Sequence, residues 1–159
     1  MNTKIKSITT AAVIAALYVA LTFISNLAGL ASGAVQVRIS EALTVLPCFT
    51  AAAIPGLTIG CLLSNLLTGC AFWDIIFGTL ATLIGAVGTY LVRRHKSLAP
   101  LPPIIANTLI VPFVLIYTYG AEQAIWFLMA TVGAGEIISA GVFGTVLRKS
   151  LEKHPSKIF

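Results

Sequence analysis

Residues 42–69 read ALTVLPCFTAAAIPGLTIGCLLSNLLTG, an apolar run that is too long to cross a membrane once. A single helix over this run would be about 42 Å long, whereas the hydrocarbon core of a bilayer is about 30 Å thick. Pro55 and Gly56 lie near its centre, and proline removes a backbone donor while glycine permits a turn. The run therefore predicts two short membrane helices, Ser40–Ile54 and Gly56–Cys70, joined by a hairpin at this Pro-Gly pair.

Apolar segments continue on both sides of this run. They are Ile5–Leu30, Asp74–Val92, Pro103–Tyr119 and Gln123–Leu147. Hydrophobic residues make up 58% of the 159 residues and charged residues only 9%, whereas a soluble domain has about 25% charged residues. We therefore predict an all-α integral membrane protein with six transmembrane helices, in which residues 1–159 form a single membrane-embedded domain. The first segment shows no obvious cleavage site, so we expect it to stay in the mature protein.

Basic residues predict how these helices are oriented. If the amino terminus is cytoplasmic, every lysine and arginine except Arg38 lies on the cytoplasmic side, as the positive-inside rule requires. We therefore expect a multi-pass protein of the cell membrane with both termini in the cytoplasm. An arrangement with five spans and an outer amino terminus satisfies the rule nearly as well. We predict six spans because the run at residues 42–69 is too long to cross the membrane once. The basic excess reflects topology and attraction to anionic lipid, and we expect no nucleic-acid partner, because no soluble domain is present to hold one.

Polar side chains inside a bilayer are expensive, and their depth indicates where a site lies. Those at or near the outer ends of the predicted helices are Asn26, Arg38, Glu41, Asn65, Asp74, Glu122 and Gln123. Asn107 lies deeper, roughly 15 Å below the outer end of its helix at about 1.5 Å per residue, and Glu136 is slightly deeper still. We therefore expect a site that opens outward, with Asn107 and Glu136 at its floor. Asn65 has a second interpretation, a hydrogen bond across a helix interface.

The carboxylates among these residues also have structural interpretations. Glu41 falls in the first turn of its predicted helix, where Ser40 would cap the helix and Arg38 would form a local ion pair with Glu41. Asp74 would similarly cap the fourth helix. Glu136 has no cationic residue three or four positions away on its own helix, so it is protonated, paired across the bundle or facing a polar ligand. For Glu136 we favour the ligand or polar-pocket role.

Aromatic residues are concentrated near the outer face, where they are Phe72, Trp73, Tyr117, Tyr119, Trp126 and Phe127. Tyr90 is the clearest counterpart at the inner face. An ordinary aromatic belt marks both interfaces, so the asymmetry favours stacking of some rings on a flat ligand, while the others serve as anchors or packing.

Several kinds of chemistry are absent from the sequence. It has no glycine-rich phosphate loop of the G-x-x-x-x-G-K-[ST] type, so another subunit must supply any ATP hydrolysis. The histidines, His95 and His154, lie in basic cytoplasmic segments without a nucleophile–base pair. The cysteines, Cys48, Cys61 and Cys70, lie in apolar surroundings and are not at metal-ligand spacing. We therefore expect no enzymatic activity, no cofactor and no bound metal.

Three strings of residues carry a family resemblance. They are VRISEALTVLP at Val37–Pro47, AIPGLTIGC at Ala53–Cys61 and DIIFGTLATL at Asp74–Leu83, with Asn65 between the last two. Together they resemble the QueT family of queuosine-precursor transporters. The resemblance extends through most of the chain and is densest from Val37 to Leu83.

This resemblance implies a substrate-binding subunit, or S-component, of an energy-coupling factor (ECF) transporter. Such subunits are six-helix bundles that bind a vitamin-like solute near the outer surface and work with a transmembrane coupling subunit and two cytoplasmic ATPase subunits. The ligand that it implies is queuine or a related 7-deazaguanine, a planar base with guanine-like donors and an amine. The substrate-binding candidates are Arg38, Glu41, Asn65, Trp73, Asp74, Asn107, Trp126 and Glu136.

Each type of candidate side chain suits one part of such a ligand. The carboxylates of Glu41, Asp74 or Glu136 would accept from its N–H edge or pair with its amine. The two asparagines would bind the carbonyl and ring nitrogens, and Trp73 or Trp126 would stack on the ring. The residues leave open which carboxylate has which role.

Small residues on the first helix suggest a contact surface. Ala11, Ala12, Ala15, Ala16 and Ala20 give overlapping A-x-x-x-A spacings, and a face of small side chains lets helices approach closely. The resemblance implies contact between this face and the coupling subunit, which we assign to Ala12 and Ala16. The alternative is internal packing of the bundle.

The main alternative function is a self-sufficient small secondary carrier or channel for a polar solute. It would need an internal repeat, oligomerisation or a proton-coupled carboxylate such as Glu136. The sequence contains no convincing internal repeat, which favours the coupled transporter.

Overall fold

The computed structural model describes residues 3–30 and 35–153. His154 and Lys157, which the sequence places in a cytoplasmic tail, lie outside these ranges. The helices are α1 (Thr3–Leu27), a 3-10 helix (Ile39–Cys48), α2 (Ala53–Leu67), α3 (Phe72–Leu91), α4 (Leu101–Tyr119), α5 (Ile125–Glu136), a π segment (Ile137–Phe143) and α6 (Gly144–Glu152). A short 3-10 turn at Lys96–Leu98 precedes α4, and no strand occurs in the described ranges.

Four helical stretches are long and apolar enough to cross a membrane. They are Thr3–Leu27, Phe72–Leu91, Lys96–Tyr119 and the continuous stretch Ile125–Glu152, whereas the 3-10 helix and α2 are apolar but shorter. Large apolar side chains are exposed along these stretches, as expected where lipid tails replace water. The predicted all-α membrane protein is therefore confirmed, while the number of complete spans and the side of the termini stay predictions.

The break in the long apolar run lies earlier than predicted. It falls between the 3-10 helix and α2, at residues 49–52, so Pro55 and Gly56 belong to the first turn of α2. Proline is tolerated there because the first N–H groups of a helix have no intrahelical partner. Gly56 serves packing rather than a turn, since a Cβ atom at this position would lie 2.7 Å from the carbonyl oxygen of Ala11.

The alanines of α1 form two faces rather than one. Ala15 is buried against Gly60 of α2, where a Cβ atom on the glycine would lie 3.1 Å from the Ala15 Cα atom. Small residues at this contact let α1 and α2 approach closely. Ala12 and Ala16 are instead exposed on the surface of the bundle.

Neither of the two predicted helix caps is formed. Ser40 lies inside the 3-10 helix, and its hydroxyl is hydrogen-bonded to the Thr22 hydroxyl of α1 at 2.9 Å. Asp74 lies in the first turn of α3 without capping it, and Asp74 Oδ2 accepts a hydrogen bond from the Tyr119 hydroxyl of α4 at 2.7 Å. Its carboxylate is still favoured by the positive end of the α3 dipole.

The 3-10 helix is the most enclosed element of the fold. Its residues 40–48 are all buried, and it packs against α1, α3, the π segment and α6. Leu43 and Leu46 join Leu57 of α2 in the main apolar core. This central position places the first turn of the 3-10 helix, which carries Glu41, deep inside the bundle.

Candidate functional site

Glu41 presents a carboxylate inside the bundle. The residue is 2% exposed, and Glu41 Oε1 accepts a hydrogen bond from the Tyr18 hydroxyl of α1. Glu41 Oε2 is buried without a hydrogen-bond partner among the described residues. Leaving a buried acceptor unpaired costs about 1–3 kcal/mol, and more for a charged group. This oxygen is therefore well placed to accept a hydrogen bond from a ligand.

Glu136 presents a second carboxylate of the same kind. It is the last residue of α5, is 8% exposed, and has an Oε2 atom without a hydrogen-bond partner in the described part of the chain. The side chain of Asn107 on α4, which is also buried, interacts with its carboxyl. The backbone becomes π-helical immediately after it, and such segments are frequent at functional sites.

The two carboxylates line one small cavity of about 80 Å³, which we call the inner chamber. The other lining residues are Gln36, Arg38, Asp74, Gly78, Thr82, Asn107, Val111, Leu115 and Val132. At Gly78, a Cβ atom would lie 3.2 Å from Asn65 Nδ2 and 3.4 Å from Asp74 Oδ1. The absence of a side chain at this position keeps the polar wall of the chamber accessible.

A wider cavity of about 470 Å³, the vestibule, adjoins the inner chamber. It lies where α1 and α4 end and α3 begins, and most of its lining residues carry polar groups: Thr22, Asn26, Gln36, Arg38, Asn65, Thr68, Cys70, Asp74, Leu115 and Tyr119. Gln36, Arg38, Asp74 and Leu115 line both cavities, which therefore lie next to each other.

Arg38 connects the walls of the two cavities. Its guanidinium donates a hydrogen bond from Nη2 to Asn65 Oδ1 at 3.0 Å, and its backbone N–H donates to Ser139 Oγ at 3.1 Å. The predicted local ion pair with Glu41 is wrong, since the described residues show no such contact, although Arg38 still interacts electrostatically with Glu41 and Asp74. The site thus combines one cation with three carboxylates.

The site residues lie within the range matched by a protein-family model described as QueT transporter, which covers residues 8–153. This chain belongs to the QueT transporter family. Membership confirms the resemblance carried by the strings between Val37 and Leu83, and it agrees with a multi-pass membrane protein that is not an enzyme.

One relative of this QueT-family chain is the "Queuosine precursor transporter QueT" of Lactococcus lactis subsp. cremoris (strain MG1363). The two are 39% identical over 97 residues, which correspond to 60% of this chain and 57% of the relative. The matched region therefore spans little more than half of that relative's length. No solved structure matches this chain.

Six of the eight predicted binding residues of this QueT-family protein line the two cavities. They are Arg38, Glu41, Asn65, Asp74, Asn107 and Glu136. Trp73 is 55% exposed and lines an apolar groove on the surface, stacked on Phe77, and Trp126 is 71% exposed. Neither tryptophan lines the vestibule or the inner chamber, so the expectation that they stack on a ligand there does not agree with their positions. Both positions are typical of interface anchors.

Sequence reasoning missed Tyr18, Thr22, Gln36 and Thr82. Tyr18 carried a usable signal, because it lies about 13 Å from the end of α1, whereas tyrosines in membrane helices usually mark the interfaces. Thr82 carried none, since a threonine hydroxyl can bond to its own helix, as Thr82 Oγ1 does to the Gly78 carbonyl at 3.1 Å.

Proposed function

We propose that this chain is the S-component of an ECF-type transporter, which captures queuine or a related 7-deazaguanine from outside for ATP-driven uptake. The observation that supports this most directly is the pair of buried, unpaired carboxylate oxygens of Glu41 and Glu136 at the base of a polar cavity. Such oxygens accept charge-assisted hydrogen bonds from the N–H groups of a guanine-like base. The printed function of the Lactococcus relative supports the same ligand class.

The size of the cavities suits a small planar solute. The vestibule, with a volume of about 470 Å³, falls within the range of about 300–1,000 Å³ that is typical of small-molecule sites. Its position at the bundle end opposite the amino terminus agrees with capture from outside if the termini are cytoplasmic. The wider apolar groove beside Trp73 offers few polar partners and suits lipid instead.

A binding measurement tests the ligand class. We expect purified protein in detergent to bind queuine and aminomethyl-7-deazaguanine in preference to guanine, and not to bind riboflavin or biotin, as measured by calorimetry. Equal binding of all of these compounds, or binding of none, would contradict the proposed function.

The proposed partners are a transmembrane coupling subunit and two ATPase subunits. An exposed row of small residues at Ala12 and Ala16 supports this, because it allows a partner helix to approach the lipid-facing surface of α1 closely. The adjacent row, which includes Ala15, packs against α2 and is not available for docking.

A further inference from the structure

The three carboxylates at the cavities differ in what they already bind. Asp74, at the border of the two cavities, accepts a hydrogen bond from the Tyr119 hydroxyl, which in turn accepts from the Ala71 backbone N–H at 3.1 Å. Glu41 and Glu136 each keep one buried oxygen unpaired in the described structure. A ligand therefore meets one buried unpaired oxygen from each glutamate in the inner chamber, whereas Asp74 at its entrance is only half-buried.

The volume of the inner chamber limits what enters it. At about 80 Å³ it is far below the range of about 300–1,000 Å³ typical of complete small-molecule sites. A bicyclic base therefore enters with one edge only, and the rest of the ligand occupies the vestibule.

The hydrogen-bond donors that line the inner chamber indicate which edge of the base enters it. Arg38 and Asn107 line the chamber together with the two glutamates, so it offers both acceptors and donors. A ligand ammonium carries donors only, so it would leave the donors of Arg38 and Asn107 without an acceptor in the ligand. A neutral edge that carries two N–H donors beside a carbonyl matches all of these groups.

We propose that the lactam–amine edge of the ligand enters the inner chamber and that its ring N–H and exocyclic amine donate to Oε2 of Glu41 and Oε2 of Glu136. The adjacent ring carbonyl accepts from Arg38 or Asn107. Any substituent amine lies in the vestibule, on the side of Asp74. This assignment rests on the proposed function for the identity of the base, and it adds the orientation of the base and a joint role for the two glutamates, distinct from that of Asp74.

The test compares 7-deazaguanine with 7-deazahypoxanthine, which lacks only the exocyclic amine. For the wild-type protein, calorimetry should give about ten- to hundred-fold weaker binding of 7-deazahypoxanthine, the value of one charge-assisted hydrogen bond. One of the variants Glu41→Gln and Glu136→Gln should lose most of this discrimination, because the amine donates to one of the two carboxylates. The other should weaken both bases alike, because the ring N–H is present in both.

Asp74→Asn is the matched control, since it removes the third carboxylate at the site. It should keep the full discrimination between the two bases and lose affinity for aminomethyl-7-deazaguanine instead. Thermal unfolding of each variant in detergent checks that it is folded.

Two results would overturn the assignment. One is that both glutamate variants still distinguish 7-deazaguanine from 7-deazahypoxanthine as well as the wild-type protein does. The other is that the wild-type protein itself binds the two bases equally. Failure of the wild-type protein to bind any 7-deazaguanine would instead refute the proposed function, and with it the ligand of this assignment.

Discussion

Tyr18 holds the Glu41 carboxylate in position from a neighbouring helix. The tyrosine is fully buried, its hydroxyl donates to Glu41 Oε1, and its Cβ atom packs against Gly60 of α2. With Oε1 occupied in this way, Oε2 is the oxygen left to the inner chamber. The hydrogen bond from Tyr18 thus orients one of the two free acceptors of the site.

Replacement of Tyr18 by phenylalanine tests this role. The ring is retained but the donor is lost, so we expect Tyr18→Phe to lower the free energy of unfolding by roughly 1.5–3 kcal/mol, the range for hydrogen bonds to charged groups. Binding of 7-deazaguanine should weaken as well, because the carboxylate is no longer oriented. Denaturant unfolding in detergent and calorimetry measure the two effects.

Tyr117→Phe is the control for this change, since the Tyr117 side chain is largely exposed. It should leave both quantities unchanged. If Tyr18→Phe also leaves both unchanged, the hydrogen bond to Glu41 has no role in the site.

At the scale of elements, α1 has one row of alanines that packs against α2 and a neighbouring row that is exposed. Gly56 and Gly60 of α2 pack against Ala11 and Ala15, and no room is left there for a larger side chain. The row of Ala12 and Ala16 is exposed and, in the proposed function, faces the coupling subunit. Neighbouring alanines on one helix are therefore expected to respond differently to the same substitution.

Tryptophan substitutions test this division of α1. Ala12→Trp and Ala16→Trp should leave the protein folded and able to bind its base, because nothing within the bundle opposes the larger side chain. They should block assembly with the coupling subunit, as measured by co-purification. Ala15→Trp is the matched control and should destabilise the protein itself, because the ring would overlap α2. Normal assembly by both Ala12→Trp and Ala16→Trp would remove this row from the proposed interface.

At the scale of the whole molecule, the basic residues collect at one end of the bundle. Lys96 lies 3.7 Å from Glu152, and Arg148 is paired with Glu152 at 3.0 Å, so the start of α4 and the end of α6 meet there. α1 begins at the same end with Lys4 and Lys6, if the alternation of the helices is followed. The vestibule opens at the other end, as required for a protein that takes its ligand from outside when the basic end is cytoplasmic.

Reconstituted transport distinguishes the coupled transporter from a self-sufficient carrier. We expect vesicles that contain this chain, the coupling subunit and both ATPase subunits to accumulate labelled queuine when ATP is supplied on the cytoplasmic side. Omission of the ATPase subunits should abolish accumulation, because no phosphate loop is present in this sequence. Uptake by vesicles that contain this chain alone would support the secondary carrier instead.

The sequence by itself determined the class of the protein and the approximate places of its helices. These follow from composition and from the length of apolar segments, because a bilayer accepts only helices of sufficient length with few polar groups. The position of the turn was wrong by several residues, because a proline in the first turn of a helix looks the same in sequence as one in a hairpin.

Only the tertiary structure decided which of these residues meet. The contact of Tyr18 with Glu41, the shared chamber of Glu41 and Glu136, and the outward position of Trp73 depend on how each helix is rotated about its axis. In a soluble helix, the polar face would reveal this rotation. In a membrane helix the sequence does not reveal the rotation, because lipid tails are as apolar as the protein core. A row of small or apolar residues is therefore equally suited to facing lipid or facing another helix.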